Sequence, residues 1–126
     1  MSDRIIKISR IYKLSQQKLV SFDFDDTLRR SSDENPIREN VNKLLGHSRN
    51  GDSVYIVTSR EDSDKNRAEI NKFLLDNGLE SFIQGIFLVG GLKRDRLIQL
   101  GVSQHYDDKD HEIQALKDTE IFGIKV

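Results

Sequence analysis

Cysteine is missing altogether from the 126 residues, and proline occurs once. The first absence excludes disulfides and thiolate chemistry, and fits a reducing compartment. With a single proline, no internal repeat and no low-complexity tract, nothing reads as a linker, so one domain over residues 1–126 is expected. A dominant charge is lacking as well. Twenty basic residues against 21 acidic ones leave a formal net charge of −1, which excludes the global basic field that drives non-specific nucleic-acid binding. No apolar run is long enough for a signal sequence or a membrane span, so a cytoplasmic protein without a membrane partner is expected.

What is present is polar for a globular chain, 36% hydrophobic against 33% charged, but the apolar residues come in short blocks, and that blockiness argues for a folded core. A chain of this length can bury about two thirds of its unfolded surface. Ile5 to Leu14 mixes β-formers with charges and reads as one or two edge strands, so residues 1–17 are set apart from a core over 18–126. Lys18 to Phe24 reads as a buried central strand that stops in acids. Asn35-Pro36 is a helix start, with Asn35 as cap and Ile37, Val41, Leu44 and Leu45 at helical spacing up to Gly46. Val54 to Val57 is a second strand. A second helix opens in Glu61–Asn66, presents Ile70, Phe73 and Leu74, and is capped by Gly78. Ile86 to Val89, a Gly90-Gly91 turn, and a short helix from Lys93 to Leu100 follow. A strand into Asp107-Asp108, a helix around Ile113–Leu116 and a last strand Ile121–Val126 complete the alternation. The fold class is therefore α/β, a doubly wound parallel sheet, whose ligands sit at the carboxyl ends of the strands.

Four polar clusters fall at those ends: Asp23 with Asp25, Asp26 and Thr27; Thr58-Ser59-Arg60; Lys93; and Asp107-Asp108. Carboxylates, a hydroxyl and a lysine converging on one side of a sheet suit phosphoryl transfer assisted by Mg²⁺, which prefers hard oxygen ligands. Asp23 and Asp25, two residues apart as the strand ends, can face the same side.

The run Asp23, Asp25, Thr27 and Leu28 after an apolar strand resembles the first motif of the haloacid dehalogenase superfamily of phosphohydrolases, and the other clusters follow in that family's order from Lys18 to the end. The resemblance implies Asp23 as the nucleophile that forms an aspartyl-phosphate and Asp25 as general acid and base. It implies phosphate binding by Thr58 or Ser59 and by Lys93. Mg²⁺ would be held by Asp23, the backbone carbonyl of Asp25, and Asp107 or Asp108. Position 26, commonly glycine in that family, is Asp here and is expected to point away from the metal. Thr58-Ser59-Arg60 is also similar to the phosphatase domain of polynucleotide kinase 3'-phosphatases, which adds Arg60 as a phosphate ligand.

Each residue has a plainer reading. Asp23 and Asp25 can form a solvated turn, Thr58 or Asp107-Asp108 can cap a helix, Lys93 can be a surface lysine, and Arg29 and Arg30 solvated loop charges. His47, His105 and His111 lack metal-ligand spacing and read as ordinary surface or core residues. A response-regulator receiver is excluded by order, because its lysine comes after its acidic residues, whereas Lys93 precedes Asp107-Asp108. A catalytically silent binding module of the same family is the other alternative. Only Leu28 to Asn35 follows the first motif before a helix, which leaves no room for a cap domain. An open site with Arg29, Arg30, Arg60, Arg94 and Arg96 beside it favours a phosphorylated macromolecular end, a nucleic-acid 3' terminus first, with a phosphoprotein or a small nucleotide as alternatives.

Overall fold

Val20 and Phe22, both fully buried, anchor the middle strand of a five-stranded sheet. In a computed structural model that describes residues 17–126, the order of elements is β1 (Leu19–Phe22), α1 (Arg38–Arg49), β2 (Ser53–Thr58), α2 (Asp64–Asp76), a 3₁₀ turn (Glu80–Phe82), β3 (Gly85–Leu88), α3 (Arg94–Leu100), β4 (Gln104–Asp107), α4 (Asp110–Gln114) and β5 (Phe122–Lys125). The edge strands expected within Ile5–Leu14 lie outside the described residues.

Every strand pair is parallel, and the order across the sheet is β3-β2-β1-β4-β5. Alternation along β2 explains the two layers of helix. Val54 and Ile56 join Val20, Phe22 and Phe24 in a core completed by Val41 and Leu44 of α1 and Ile70, Phe73 and Leu74 of α2. Tyr55 and Val57 point the other way, into a second core with Leu97 and Leu100 of α3 and Leu116 beyond α4. Aromatic contacts tighten the first core: Phe22 stacks on Tyr106 with ring centres 4.4 Å apart, and Phe24 meets Phe73 edge-on at 5.3 Å. Burying each such side chain contributes about 1.5–3 kcal/mol.

Strand order has a direct consequence for function. From β1 the chain builds outward through β2 and β3, then returns to lay β4 on the opposite side of β1. The crevice of a doubly wound sheet opens at this reversal, between the carboxyl ends of β1 and β4.

Several local expectations need correction. Asn35 and Pro36 do not start α1. Arg30 donates its N–H to the Asn35 carbonyl and Pro36 bridges Arg29, so the pair is held extended and the helix begins at Arg38, with Ile37 in the cap position and no side-chain cap. At the other end α1 runs through Gly46 to Arg49, and Gly51 with φ +87° makes the exit. The Glu61–Asn66 run does open α2: Ser63 is its cap and accepts the Asn66 N–H at 3.1 Å. The helix closes at Gly78 as expected, where a left-handed backbone lets Leu79 and Gly78 return their N–H groups to Leu74 and Leu75. The last helix lies earlier than expected, over Asp110–Gln114, with Leu116 in the turn after it. Among the described residues no helix is long and apolar enough to cross a membrane.

Candidate functional site

Asp23 is the first residue beyond β1, and its N–H extends the ladder to the Tyr106 carbonyl at 2.9 Å. Phe22 is paired with Tyr106, so one step further along both strands sets Asp23 beside Asp107. Asp108 follows directly. Carboxylate oxygens of Asp23, Asp107 and Asp108 all lie within 4.8 Å of one another. Asp23 and Asp107 are buried, while the Asp108 side chain keeps 18% of its surface exposed, so the group is closed below and reachable from above.

Lys93 joins the cluster from the turn before α3. Its side chain is almost wholly buried, and Nζ donates to Asp23 Oδ1 at 2.8 Å and to Asp107 Oδ2 at 2.5 Å. The Lys93 N–H donates to Glu112 Oε1 at 3.2 Å, which ties the turn to α4. Thr27 closes another side: its hydroxyl lies 3.2 Å from Asp23 Oδ2 and 3.5 Å from Asp108 Oδ1. Asp107 is held by more than Lys93. The Lys109 N–H donates to its Oδ1 at 3.0 Å and the His105 ring to its Oδ2 at 2.8 Å.

Three carboxylates against one ammonium leave an excess of negative charge in a poorly solvated place, and the ionisation equilibria reflect it. Burial is the main force that pushes the Asp23 carboxyl up to about 8; the Lys93 charge pulls it back, and Asp107 raises it further. For Asp107, burial acts upward, but the His105 hydrogen bond and the Lys93 charge outweigh it and hold the carboxyl down at about 2. Burial would lower the Lys93 ammonium, yet the facing Asp23 and Asp107 carboxylates raise it, so it stays charged. The arrangement therefore holds one ion pair and carries two further acids, a donor set of hard oxygens that could hold a metal ion.

The remaining candidates are distributed differently. Asp25 is outside the side-chain cluster. Its two oxygens accept a bidentate pair from Arg60 at 2.7 and 2.9 Å, and Arg29 approaches at 3.8 Å. Arg60, expected on phosphate, also donates to Glu69 at 2.6 Å and Asn66 at 3.2 Å, so each of its three nitrogens meets a protein acceptor. Both guanidinium groups lie 5.4 Å from the centre of the Phe24 ring. Arg29 is thus half-buried in a network rather than a solvated loop charge; Arg30 is exposed and paired with Asp33. Thr58 ends β2, is buried, and its Oγ1 accepts the Arg60 N–H at 3.3 Å, whereas Ser59 is exposed. Thr58 is not a helix cap, a place taken by Ser63.

Asp26 turns away from the cluster. Its backbone is left-handed, with φ +59°, a conformation that favours glycine and that Asp tolerates. Its carboxylate accepts both the N–H and the hydroxyl of Ser31 at 2.8 Å, and these bonds hold its pKa below the ordinary value.

Two residues of the site were not singled out from sequence. Glu112 carries no signal beyond its place in a short helix. His105 does carry one: it stands two before Asp107 on a strand, hence on the same side, inside a block that alternates toward the acids. No protein-family model and no curated protein matches the chain.

Proposed function

We propose that the protein is a Mg²⁺-dependent phosphomonoesterase that works through Asp23 as nucleophile. The observation that carries this reading is Lys93 Nζ between Asp23 and Asp107, beside Asp108, at the carboxyl ends of two adjacent parallel strands. The resemblance of Asp23, Asp25, Thr27 and Leu28 to the first haloacid dehalogenase motif supports the same chemistry. Asp23, Asp107 and Asp108 fit a hard divalent cation, because all their donors are carboxylate oxygens within reach of one another. Mg²⁺ would neutralise the excess charge and make the Asp23 carboxylate available beside a phosphate dianion.

In this reading an Asp23 oxygen attacks phosphorus while the ester P–O bond breaks, and Asp25 gives its proton to the departing oxygen. Water then attacks the aspartyl-phosphate, Asp25 takes the water proton, and phosphate leaves with Asp23 restored. Lys93 balances charge on the attacking carboxylate, and the Thr58 hydroxyl donates to a phosphoryl oxygen. Arg60 holds both Asp25 oxygens in the metal-free fold and has to give one of them up for Asp25 to carry the proton it delivers in this scheme.

A nucleic-acid 3' end is the leading substrate class, on the absence of any inserted element over the site among the described residues. Positive charge adds little to it: Arg29, Arg30, Arg60 and Arg94 each face a carboxylate of the protein, and Arg96 lies over Phe87. Two measurements test the reading. Hydrolysis of an aryl phosphate should need Mg²⁺ and stop in excess chelator; full activity in chelator would overturn the metal-dependent mechanism. kcat/KM for a 3'-phosphorylated oligonucleotide should exceed that for the matching mononucleotide at fixed salt. Equal use of the mononucleotide would point to a small-nucleotide phosphatase with the same chemistry.

A further inference from the structure

We propose that His105 is a positioning residue that fixes the carboxylate of Asp107 for cation binding, and that Ser21 fixes His105; this rests on reading Asp23, Asp107 and Asp108 as a divalent-cation site. His105 is fully buried in β4, and a buried imidazole is costly unless its nitrogens are paired. Both are: Nε2 is 2.8 Å from Asp107 Oδ2 and Nδ1 is 2.7 Å from the Ser21 hydroxyl. An ionised carboxylate only accepts hydrogen bonds, so Nε2 carries the hydrogen, and Nδ1 then accepts from Ser21. Ser21 and His105 are direct partners across the β1–β4 pair, so this chain of contacts runs through the middle of the sheet, immediately below the acids.

Asp107 has other partners, and their differences define the task left to His105. Lys93 is shared with Asp23, and the incoming cation and phosphate compete for the same groups. The Lys109 N–H holds only the other oxygen. His105 alone is a side-chain donor committed to Asp107, and its buried ring is held between the Ser21 hydroxyl and Asp107. Donors behind a metal ligand of this kind set the ligand's orientation and typically govern affinity about 10–100-fold.

The experiment is Mg²⁺ titration of the whole chain by calorimetry, paired with thermal unfolding in the absence and presence of Mg²⁺. His105→Leu removes the donor and should weaken Mg²⁺ binding by about 10–100-fold, while His105→Gln, whose amide can reach the same oxygen, should stay within about threefold of the wild type. Ser21→Ala, which touches no acid, should fall between them. If His105→Leu does not fold, Ser21→Ala against His105→Gln decides: weakened binding in the first and retained binding in the second carries the proposal. Unchanged affinity in a folded His105→Leu or, where that variant does not fold, in Ser21→Ala, or a loss confined to metal-free stability, would make His105 a packing residue and overturn it. A wild-type chain that binds no divalent cation would instead remove the metal site itself, a result separable from unchanged affinity in the variants.

Discussion

The two ends of the central strands treat buried charge in opposite ways. At the amino ends, Asp52 before β2 accepts the Lys18 N–H at 3.0 Å and the His47 ring at 2.8 Å, and His47 in turn contacts the Tyr106 hydroxyl at 2.7 Å. One carboxylate is met by two local donors, and the group is complete. At the carboxyl ends three carboxylates share Lys93. The first arrangement is what a fold does with an acid it needs for structure, and the second leaves an excess of negative charge that a proton on Asp23 or a bound cation would relieve. Incomplete neutralisation of buried acids marks these carboxyl ends as the candidate functional site.

The sharpest way to break the comparison is Asp23→Asn. An amide cannot attack phosphorus, so turnover should fall on the order of 10⁴-fold or more, while the unfolding temperature without metal should hold or rise, because Asn resembles the neutral acid that burial already favours. Near-normal kcat would place the nucleophile elsewhere. Next in size is Lys93→Met, which removes the only cation of the cluster and should cost about 3–5 kcal/mol in urea unfolding. Added Mg²⁺ should recover more stability in this variant than in the wild type. A deficit indifferent to Mg²⁺ would mean that the carboxylates do not hold a cation.

The smallest effect belongs to the other end. Asp52→Asn should cost about 1–3 kcal/mol through one imperfectly paired buried group, with no change in Mg²⁺ response or turnover. Burial acts to raise the Asp52 carboxyl, but hydrogen bonds from His47 and Lys18 prevail and hold it below its ordinary value. The unfolded chain therefore takes up this proton first as pH falls. The stability contributed by Asp52 is full above about pH 4 and is lost below it as the folded carboxyl titrates. A urea midpoint that falls equally with acid in Asp52→Asn would assign the acid sensitivity to other groups.

The acids and Lys93 were legible in the sequence because each interrupts or follows an apolar strand, and strand periodicity is a local property. The Asn35-Pro36 start, the two arginines and His105 differ from their local reading because contacts outside their own segment overruled a local preference. Asn35-Pro36 has the composition of a helix start, but pairing with Arg29 and Arg30 drew it into an extended bridge. Arg29 and Arg60 look alike in sequence to any solvated arginine, and Arg60 joins Arg29 at Asp25 and Phe24 only because β1 and β2 lie side by side. His105 was passed over for the same reason: its partner Ser21 is 84 residues away.

That separation also governs how the protein comes into being. The pairing of β1 with β4 closes a long loop containing both inner βα units, and such a closure is entropically costly and slow relative to local contacts. A growing chain that has not yet produced β4 carries β1 with one side unpaired and has neither Asp107 nor Asp108 to set against Asp23. The mutual repulsion of the acids is thus deferred until the sheet that must withstand it is assembled, and the three carboxylates that could hold a metal ion meet only in the finished fold.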